Sequence, residues 1–130
     1  MSLIRHNPKS VALAGRYSLG VEVPPDARLL FVSGQVGVDG KGKTLAGIDK
    51  QCDQAWKNIG AVLRSGGMKY TDIVKLTVFL TDPRYIAAFR TSRDRFITAT
   101  DPVPASTLLI VAGLAAPEML VEIEAVAARS

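Results

Sequence analysis

Residues 72–83, which read Asp-Ile-Val-Lys-Leu-Thr-Val-Phe-Leu-Thr-Asp-Pro, carry the clearest structural pattern of the chain. Apolar residues occupy every second position from 74 to 80, and this period of two is typical of a β-strand with one buried face. Asp82-Pro83 then predicts a helix start, because the carboxylate can accept an orphan amide hydrogen and proline loses no hydrogen bond at the first helical position. We therefore predict a strand over 73–81, followed by a helix that runs to about Thr98.

Outward from this stretch, the chain contains a second helix pattern and several strand patterns. Apolar residues from Ile48 to Ser65 recur mostly at spacings of three and four, which predicts an amphipathic helix that Gly66-Gly67 ends. Further strands are predicted around 17–23 and over 29–33, 35–38, 105–111 and 120–127. The last two are expected to form a hairpin with a turn over 113–118, and residues 1–12 read as a polar lead-in.

This order of elements predicts an α+β fold in which both helices cover one face of a mixed sheet. The opposite sheet face would then carry Phe79, Leu108 and Ile110. Because an exposed apolar face of this kind marks an interaction surface, we expect another subunit to cover it.

The composition limits the kinds of chemistry that the chain can perform. The chain has 130 residues, 48% of them hydrophobic, and we interpret residues 1–130 as one domain. Cys52 is the only cysteine and His6 the only histidine, which excludes a disulfide framework, a zinc finger, a multi-histidine metal centre and a catalytic triad built on a core histidine. No metal site is predicted. The longest apolar run, over 108–117, is too short to span a bilayer, so we expect a cytoplasmic protein without a membrane partner.

The basic residues give little indication of a partner. The formal net charge is +4, and the densest basic patch consists of Arg84, Arg90, Arg93 and Arg95. No aromatic RNA-binding signature is interleaved with these arginines. We interpret the patch as a solvated helix face and expect no nucleic-acid partner.

Two carboxylates, Glu122 and Glu124, share one face of the last predicted strand and are about 7 Å apart. A strand glutamate can orient or activate water. An exposed strand edge or a pair of interface salt bridges gives the same pattern, and the pattern alone favours these structural roles.

Three other positions have both a functional and a structural interpretation. Ser106 can donate a hydrogen bond to a ligand, although a lone strand serine is more often structural. Gly34 can let a ligand approach the backbone, but a simple bulge in the stretch Ser33-Gly34-Gln35 is the commoner explanation. Tyr17 can cap a pocket or be an ordinary half-buried ring.

Five stretches occur in a characteristic order, at 15–18 (Gly-Arg-Tyr-Ser), 31–35 (Phe-Val-Ser-Gly-Gln), 72–82, 104–105 (Pro-Ala) and 121–127 (Val-Glu-Ile-Glu-Ala-Val-Ala). Together they resemble the reactive intermediate deaminase family, also called RidA-like, YjgF-like or endoribonuclease L-PSP, over nearly the whole chain. The resemblance implies a chorismate-mutase-like fold and a homotrimer with ligand clefts between subunits. It also implies hydrolysis of enamines and imines derived from amino acids, with release of ammonia and a 2-oxo acid and without a metal or organic cofactor.

The resemblance also implies residue roles. It assigns Tyr17 and Gly34 to the ligand cleft and makes Glu122 the residue that positions the attacking water. Deaminating members have an arginine where this chain has Ser106, and many have a cysteine where it has Leu108. A serine hydroxyl cannot reproduce the two charge-assisted hydrogen bonds of a guanidinium to a carboxylate, so this departure predicts an altered specificity.

Two explanations of the missing arginine remain open. Arg90, which stands where many members have asparagine, or Arg16 supplies the cation from another direction. Alternatively, the ligand is neutral or more apolar, which matches Leu108.

The leading hypothesis is therefore a divergent, trimeric family member that hydrolyses a different enamine or imine at an intersubunit cleft. A noncatalytic small-molecule-binding protein of the same fold is the alternative. Endoribonuclease activity is the least favoured, because the sequence contains no evident pair of a general acid and a general base for phosphodiester cleavage.

Overall fold

The structure, a computed structural model, describes residues 3–130. Along this part of the chain run β1 (Ile4–His6), β2 (Gly20–Glu22), β3 (Arg28–Val36), α1 (Ile48–Ser65), β4 (Ile73–Leu80), α2 (Ile86–Phe96), β5 (Ala105–Ile110) and β6 (Val121–Arg129). Single 3₁₀ turns, Tyr70–Asp72 and Pro83–Tyr85, precede β4 and α2.

The main sheet has four strands in the order β3-β6-β4-β5. β6 is antiparallel to both of its neighbours, whereas β5 is parallel to β4. β1 and β2 form a separate antiparallel pair. The mixed main sheet, with both helices on one face, confirms the predicted α+β class and the chorismate-mutase-like arrangement.

The helices pack on the sheet through the apolar stripes that the sequence predicts. Trp56 of α1 is fully buried and lies between two aromatic rings of α2, with ring centroids 6.3 Å from Phe89 and 6.0 Å from Phe96. Val78 of β4 and Ile123 of β6 are also fully buried beneath the helices. Each such side chain contributes about 1.5–3 kcal/mol by leaving water, so this one layer holds the helices on the sheet.

The predicted helix start at Asp82-Pro83 is confirmed, although the first turn is a 3₁₀ turn. The Asp82 carboxylate accepts a hydrogen bond from the backbone N–H of Arg84 at 2.8 Å and from its guanidinium. These bonds lower the pKa of Asp82 to about 2. The α-helix itself ends at Phe96, two residues before the predicted end.

Two predictions about connectivity are wrong. β5 and β6 do not form a hairpin, because β4 lies between them and pairs with both. α2 provides the long crossover that a parallel β4–β5 pair requires. Residues 4–6, predicted as part of a polar lead-in, form β1, where the backbone pairs with 20–22 and the His6 ring lies 2.9 Å from a Glu22 carboxylate oxygen.

The predicted facing of β5 is also wrong. Leu108 pairs with Val78 and Ile110 pairs with Leu80, and residues paired across strands share a face of the sheet. Leu108 and Ile110 therefore lie on the helix-covered side. Leu109 pairs with Phe79 and takes their place on the open face.

The open face of the sheet carries exposed apolar side chains at both of its edges. Phe31 on β3 is 71% exposed, and Leu109 on β5 is 40% exposed. That another subunit covers this face stays a prediction. Within residues 3–130, neither helix is long and apolar enough to cross a bilayer.

Candidate functional site

Glu122 and Gly34 come into contact where β3 pairs with β6. The register of this pair shifts between Val32 and Gln35, and Gly34 lies within the shift. A Cβ atom at position 34 would overlap Oε2 of Glu122 and lie 2.8 Å from its Cδ. The bulge predicted over Ser33–Gln35 is therefore confirmed, and its glycine makes room for the glutamate side chain against the backbone of β3.

The Glu122 carboxylate is half-buried and forms no ion pair or hydrogen bond with any residue of the described range 3–130. Glu124, two residues further along the same face, is exposed. β6 is an inner strand, so the interpretation of these glutamates as an exposed edge is wrong. Because its carboxylate oxygens are not used within the chain, Glu122 can accept hydrogen bonds from a ligand or from water.

A concavity of the open face lies beside Glu124 rather than Glu122. It has a volume of about 380 Å³, and its polar lining includes Ser33, Lys75, Thr77 and Glu124. The Lys75 ammonium donates to Thr107 Oγ1 at 2.7 Å. Glu122 is not part of this lining, so this concavity does not enclose the glutamate.

Tyr17 and Ser106 lie near each other at the β5 edge of the sheet. The Ser18 N–H donates to the Pro104 carbonyl at 2.9 Å, and the Ser18 hydroxyl donates to the Val103 carbonyl at 2.6 Å. Ser18 also pairs in parallel with the first residue of β5. These bonds place the segment around Tyr17 alongside the start of β5, where Tyr17 and Ser106 are both half-buried.

The two arginines predicted as substitute cations differ in their contacts. The Arg16 guanidinium donates to Asp94 Oδ1 at 2.7 Å, to the Ile97 carbonyl at 2.7 Å and to the Thr98 carbonyl. Arg90 is exposed on α2 and forms no hydrogen bond or ion pair with the rest of the described chain. Arg16 is therefore committed to holding the end of α2, whereas Arg90 keeps a free guanidinium.

The other arginines of the basic patch are neutralised by neighbouring carboxylates. The pairs are Arg84–Asp82 at 2.7 Å, Arg93–Asp94 at 3.0 Å and Arg95–Asp53 at 2.6 Å. This pairing supports the interpretation of the patch as a solvated helix face.

The predicted site residues thus form two groups that one chain keeps apart. The glutamate group consists of Gly34 and Glu122, and the edge group consists of Tyr17, Ser106 and Leu108. Gly34 on β3 is three strand spacings, or about 14 Å, from β5, and Glu122 on β6 is two spacings, or about 9–10 Å, from it. Ser106 and Leu108 face the helices, where Leu108 packs against the core, while Glu122 lies on the open face.

Two side-chain amides of α1 near the glutamate group, one buried and one half-buried, were missed by sequence reasoning. Gln51 is 1% exposed and bonds to the segment before β6, and Asn58 donates to the carbonyls of Val36 and Val38 at the end of β3. The only signal in the sequence is a weak one: the two amides are seven residues apart and therefore lie on the same side of α1, beside its apolar stripe. Within residues 3–130, no group of three or more His, Cys, Asp or Glu side chains could hold a metal ion.

Comparisons with known proteins are consistent with this geometry. The model of the family described as "Endoribonuclease L-PSP" matches residues 8–129. A RutC family protein of Aquifex aeolicus is 41% identical over 76 residues, and the alignment covers 58% of each chain. A protein of Salmonella typhimurium named 2-iminobutanoate/2-iminopropanoate deaminase is 33% identical over 120 residues, 91% of each chain. The crystal structure of a Rid-family protein of unknown function from Yersinia pestis superposes with a TM-score of 0.84, at 31% identity and over 98% of both chains.

Proposed function

The chain belongs to the RidA-like, endoribonuclease L-PSP family, and we propose that it hydrolyses a small enamine or imine with release of ammonia, at a cleft formed between two copies of the chain. The name of the Salmonella relative states an imine deaminase activity, and the alignment with that protein includes most of both chains. The observation that carries the proposal is the half-buried Glu122 carboxylate, which lies against Gly34 and has no partner within the described chain.

Glu122 has the chemistry that imine hydrolysis needs. Its carboxylate accepts a proton from water as the water oxygen bonds to the imine carbon, and passes this proton to the nitrogen. It then transfers the remaining hydroxyl proton to the nitrogen as the carbon–nitrogen bond breaks and the carbonyl forms. One water is consumed, and the products are a carbonyl compound and ammonia. General acid–base catalysis of this kind contributes roughly 10²–10⁴-fold to the rate.

The separation of the two groups supports an intersubunit cleft. Exposed apolar residues lie at opposite edges of the sheet, with Phe31 on β3 and Leu109 on β5. Two different patches that meet head to tail generate a closed ring, and three copies would form the homotrimer. In such a ring the edge group of one chain adjoins the glutamate group of the next.

The edge group suggests which substrates the cleft accepts. Ser106 supplies a hydroxyl, Leu108 an apolar surface and Tyr17 a half-buried ring, and none of them carries a positive charge. We therefore propose a substrate whose distal end is neutral or apolar, or whose carboxylate is held only by the unpaired guanidinium of Arg90. Ordinary 2-imino acids would then be poor substrates.

Ammonia release from freshly generated imines tests the catalytic proposal. Wild-type protein should hydrolyse at least one member of a panel that includes 2-aminoacrylate and imines without a carboxylate. Glu122→Gln should lower kcat by about 10²-fold or more, while Glu124→Gln, on the same face of the same strand, should change it less than about threefold. Absence of turnover over the whole panel would exclude the enzyme, and turnover of 2-aminoacrylate comparable to that of arginine-containing relatives would exclude the altered specificity.

Mixed oligomers test the intersubunit cleft. Co-expression of a Glu122→Gln chain with a Ser106→Glu chain should restore wild-type clefts at about a quarter of the interfaces, because two chain types assort at random around a ring. If both residues served a cleft within one chain, mixing would restore none. Light scattering that shows a stable monomer would also contradict this assembly.

A noncatalytic binding protein is the second candidate, since the same cleft can hold a small molecule without turnover. Saturable binding of an unreactive imine analogue, unaccompanied by any hydrolysis in the panel, would favour it. RNA cleavage has less support, because three of the four arginines in the basic patch are paired with carboxylates.

A further inference from the structure

Gln51 ties α1 to the segment that leads into β6. It is 1% exposed, and its Nε2 donates to the carbonyls of Leu45 at 2.9 Å and Glu118 at 2.8 Å. Its Oε1 accepts from the backbone N–H of Leu120 at 2.8 Å. Both amide hydrogens are used, so this buried side chain is fixed in one orientation.

The bond to Leu120 lies two residues before Glu122. The Leu120 carbonyl accepts a hydrogen bond from the Thr81 N–H at 3.1 Å. The peptide groups on both sides of Leu120 are therefore held, one by α1 and the other by the end of β4. Gln51 thus helps to determine where β6 begins and hence where the Glu122 backbone lies.

The same helix also holds the strand that contains Gly34. A Cβ atom at Gly37 would lie 2.5 Å from the Cα of Gln51, so the chain passes directly over the backbone of α1 just after the end of β3. About two turns further along the helix, Asn58 donates to the carbonyls of Val36 at 3.2 Å and Val38 at 2.9 Å. Gln51 and Asn58 therefore hold both segments that bring Gly34 and Glu122 into contact.

We propose that Gln51 is a positioning residue that sets the Glu122 carboxylate against Gly34 for attack by water. This inference rests on the proposed function for its kinetic consequence, but its structural consequence can be measured without it. Gln51 does not touch the cleft groups, so its removal should impair the chemical step more than substrate binding. Displacement of a catalytic group by about 1 Å can cost about 10²-fold in rate.

Gln51→Met tests the proposal, because methionine keeps the length of the side chain and removes all three hydrogen bonds. We expect kcat to fall about 10–100-fold with KM within about threefold of wild type, at a temperature well below the unfolding transition. Lys50→Met is the matched control. Lys50 is the neighbour of Gln51 on the same helix, is exposed and forms no hydrogen bond or ion pair within the described residues, so this change should leave kcat unaltered.

Hydrogen exchange and NMR chemical shifts separate this inference from the proposed function. Gln51→Met should speed amide exchange at Leu120 by about tenfold or more and shift the resonances of Gly34 and Glu122, whereas Lys50→Met should do neither. These results would support the positioning role even if no imine were hydrolysed. A fully active Gln51→Met, or one that loses stability without changes at Gly34 and Glu122, would overturn it. If Gln51→Met does not fold, a wild-type Leu120 amide that exchanges as fast as exposed loop amides would overturn it as well.

Discussion

The glutamate group and the edge group differ in how the chain supports them. Glu122 lies on an inner strand and Gly34 on an edge strand. The buried amide of Gln51 and the half-buried amide of Asn58 hold the backbone near them, and the glycine fits only because it has no side chain. Ser106, in contrast, lies on an edge strand that is partly covered by the segment around Tyr17. The difference suggests that the rigid group fixes the chemistry, while the exposed edge determines which substrate is accepted.

The largest expected effect comes from filling the space at Gly34. In Gly34→Ala the new methyl group would overlap the Glu122 carboxyl group, which is the far end of a flexible side chain. The carboxylate should move aside, so we expect kcat to fall by about 10²-fold. The free energy of unfolding should fall by less than about 1 kcal/mol, because the clash is relieved without moving the backbone.

Gly40→Ala is the control for this prediction. A Cβ atom at Gly40 would have no neighbour within 4 Å, so both kcat and the urea midpoint should stay close to wild type. If Gly34→Ala kept the full kcat, the contact between Gly34 and Glu122 would have no role in catalysis, and the glutamate group would be a structural feature only.

The sequence predicts the bounds of a helix better than the place of a strand in the sheet, because the former depends on nearby residues and the latter on distant pairing partners. The bounds of α1, Ile48 to Ser65, are confirmed because an apolar stripe and a terminal Gly66-Gly67 pair are both local signals. The position of β5 in the sheet depends on which neighbouring strand it pairs with. Because only a short turn over 113–118 separates β5 from β6, a hairpin of these two strands was the simplest expectation. β4 occupies that position instead, since the α2 crossover returns the chain to its outer edge.

The same limit applies to the site. The prediction that Glu122 and Glu124 share one face of β6 is confirmed, because the alternation of side chains along a strand alone determines it. The facing of Leu108 could not be derived, because it depends on the register with Val78 rather than on any residue of β5 itself. Gln51 was missed because a single glutamine next to an apolar stripe looks like an ordinary surface residue until its partners 67 and 69 positions away are known.

A smaller effect is expected from restoring a positive charge at the edge group. Ser106→Arg should raise kcat/KM for 2-iminopropanoate by about 10-fold or more, because hydrogen bonds to a charged group contribute about 1.5–3 kcal/mol. The preference for imines without a carboxylate should fall in parallel. Ser106→Gln, which adds length without charge, should not raise activity towards 2-iminopropanoate.

Equal gains in Ser106→Arg and Ser106→Gln would show that bulk rather than charge limits the cleft. No gain in either variant would mean that the edge group does not contact the carboxylate end of the substrate. Either result would remove the assignment of specificity to the edge strand, while the role of Glu122 would be unaffected.

The smallest effects should distinguish the two candidate cations. Arg16→Gln removes the bonds to Asp94 and to the carbonyls of Ile97 and Thr98, so we expect a loss of about 1–2 kcal/mol in the free energy of unfolding. Arg90→Gln should leave stability within about 0.5 kcal/mol, since the side chain is exposed and unpaired. If Arg90 holds the substrate, the KM of Arg90→Gln for carboxylate-bearing imines should be several-fold higher than that of the wild type.

Acidification provides a second readout of the Arg16 contact. Burial alone would raise the pKa of Asp94, but hydrogen bonds from Arg93 and Arg16 outweigh it and lower the pKa. A lowered carboxyl pKa stabilises the fold above the unfolded value near 3.9, and this contribution is lost as the pH falls through the folded pKa. Urea unfolding should therefore show a larger deficit for Arg16→Gln at pH 7 than near pH 3. If the deficit did not change with pH, the bonds to the Ile97 and Thr98 carbonyls, and not the pair with Asp94, would account for the contribution of Arg16 to stability. If Arg16→Gln instead raised KM without loss of stability, Arg16 rather than Arg90 would be the cation that holds the substrate.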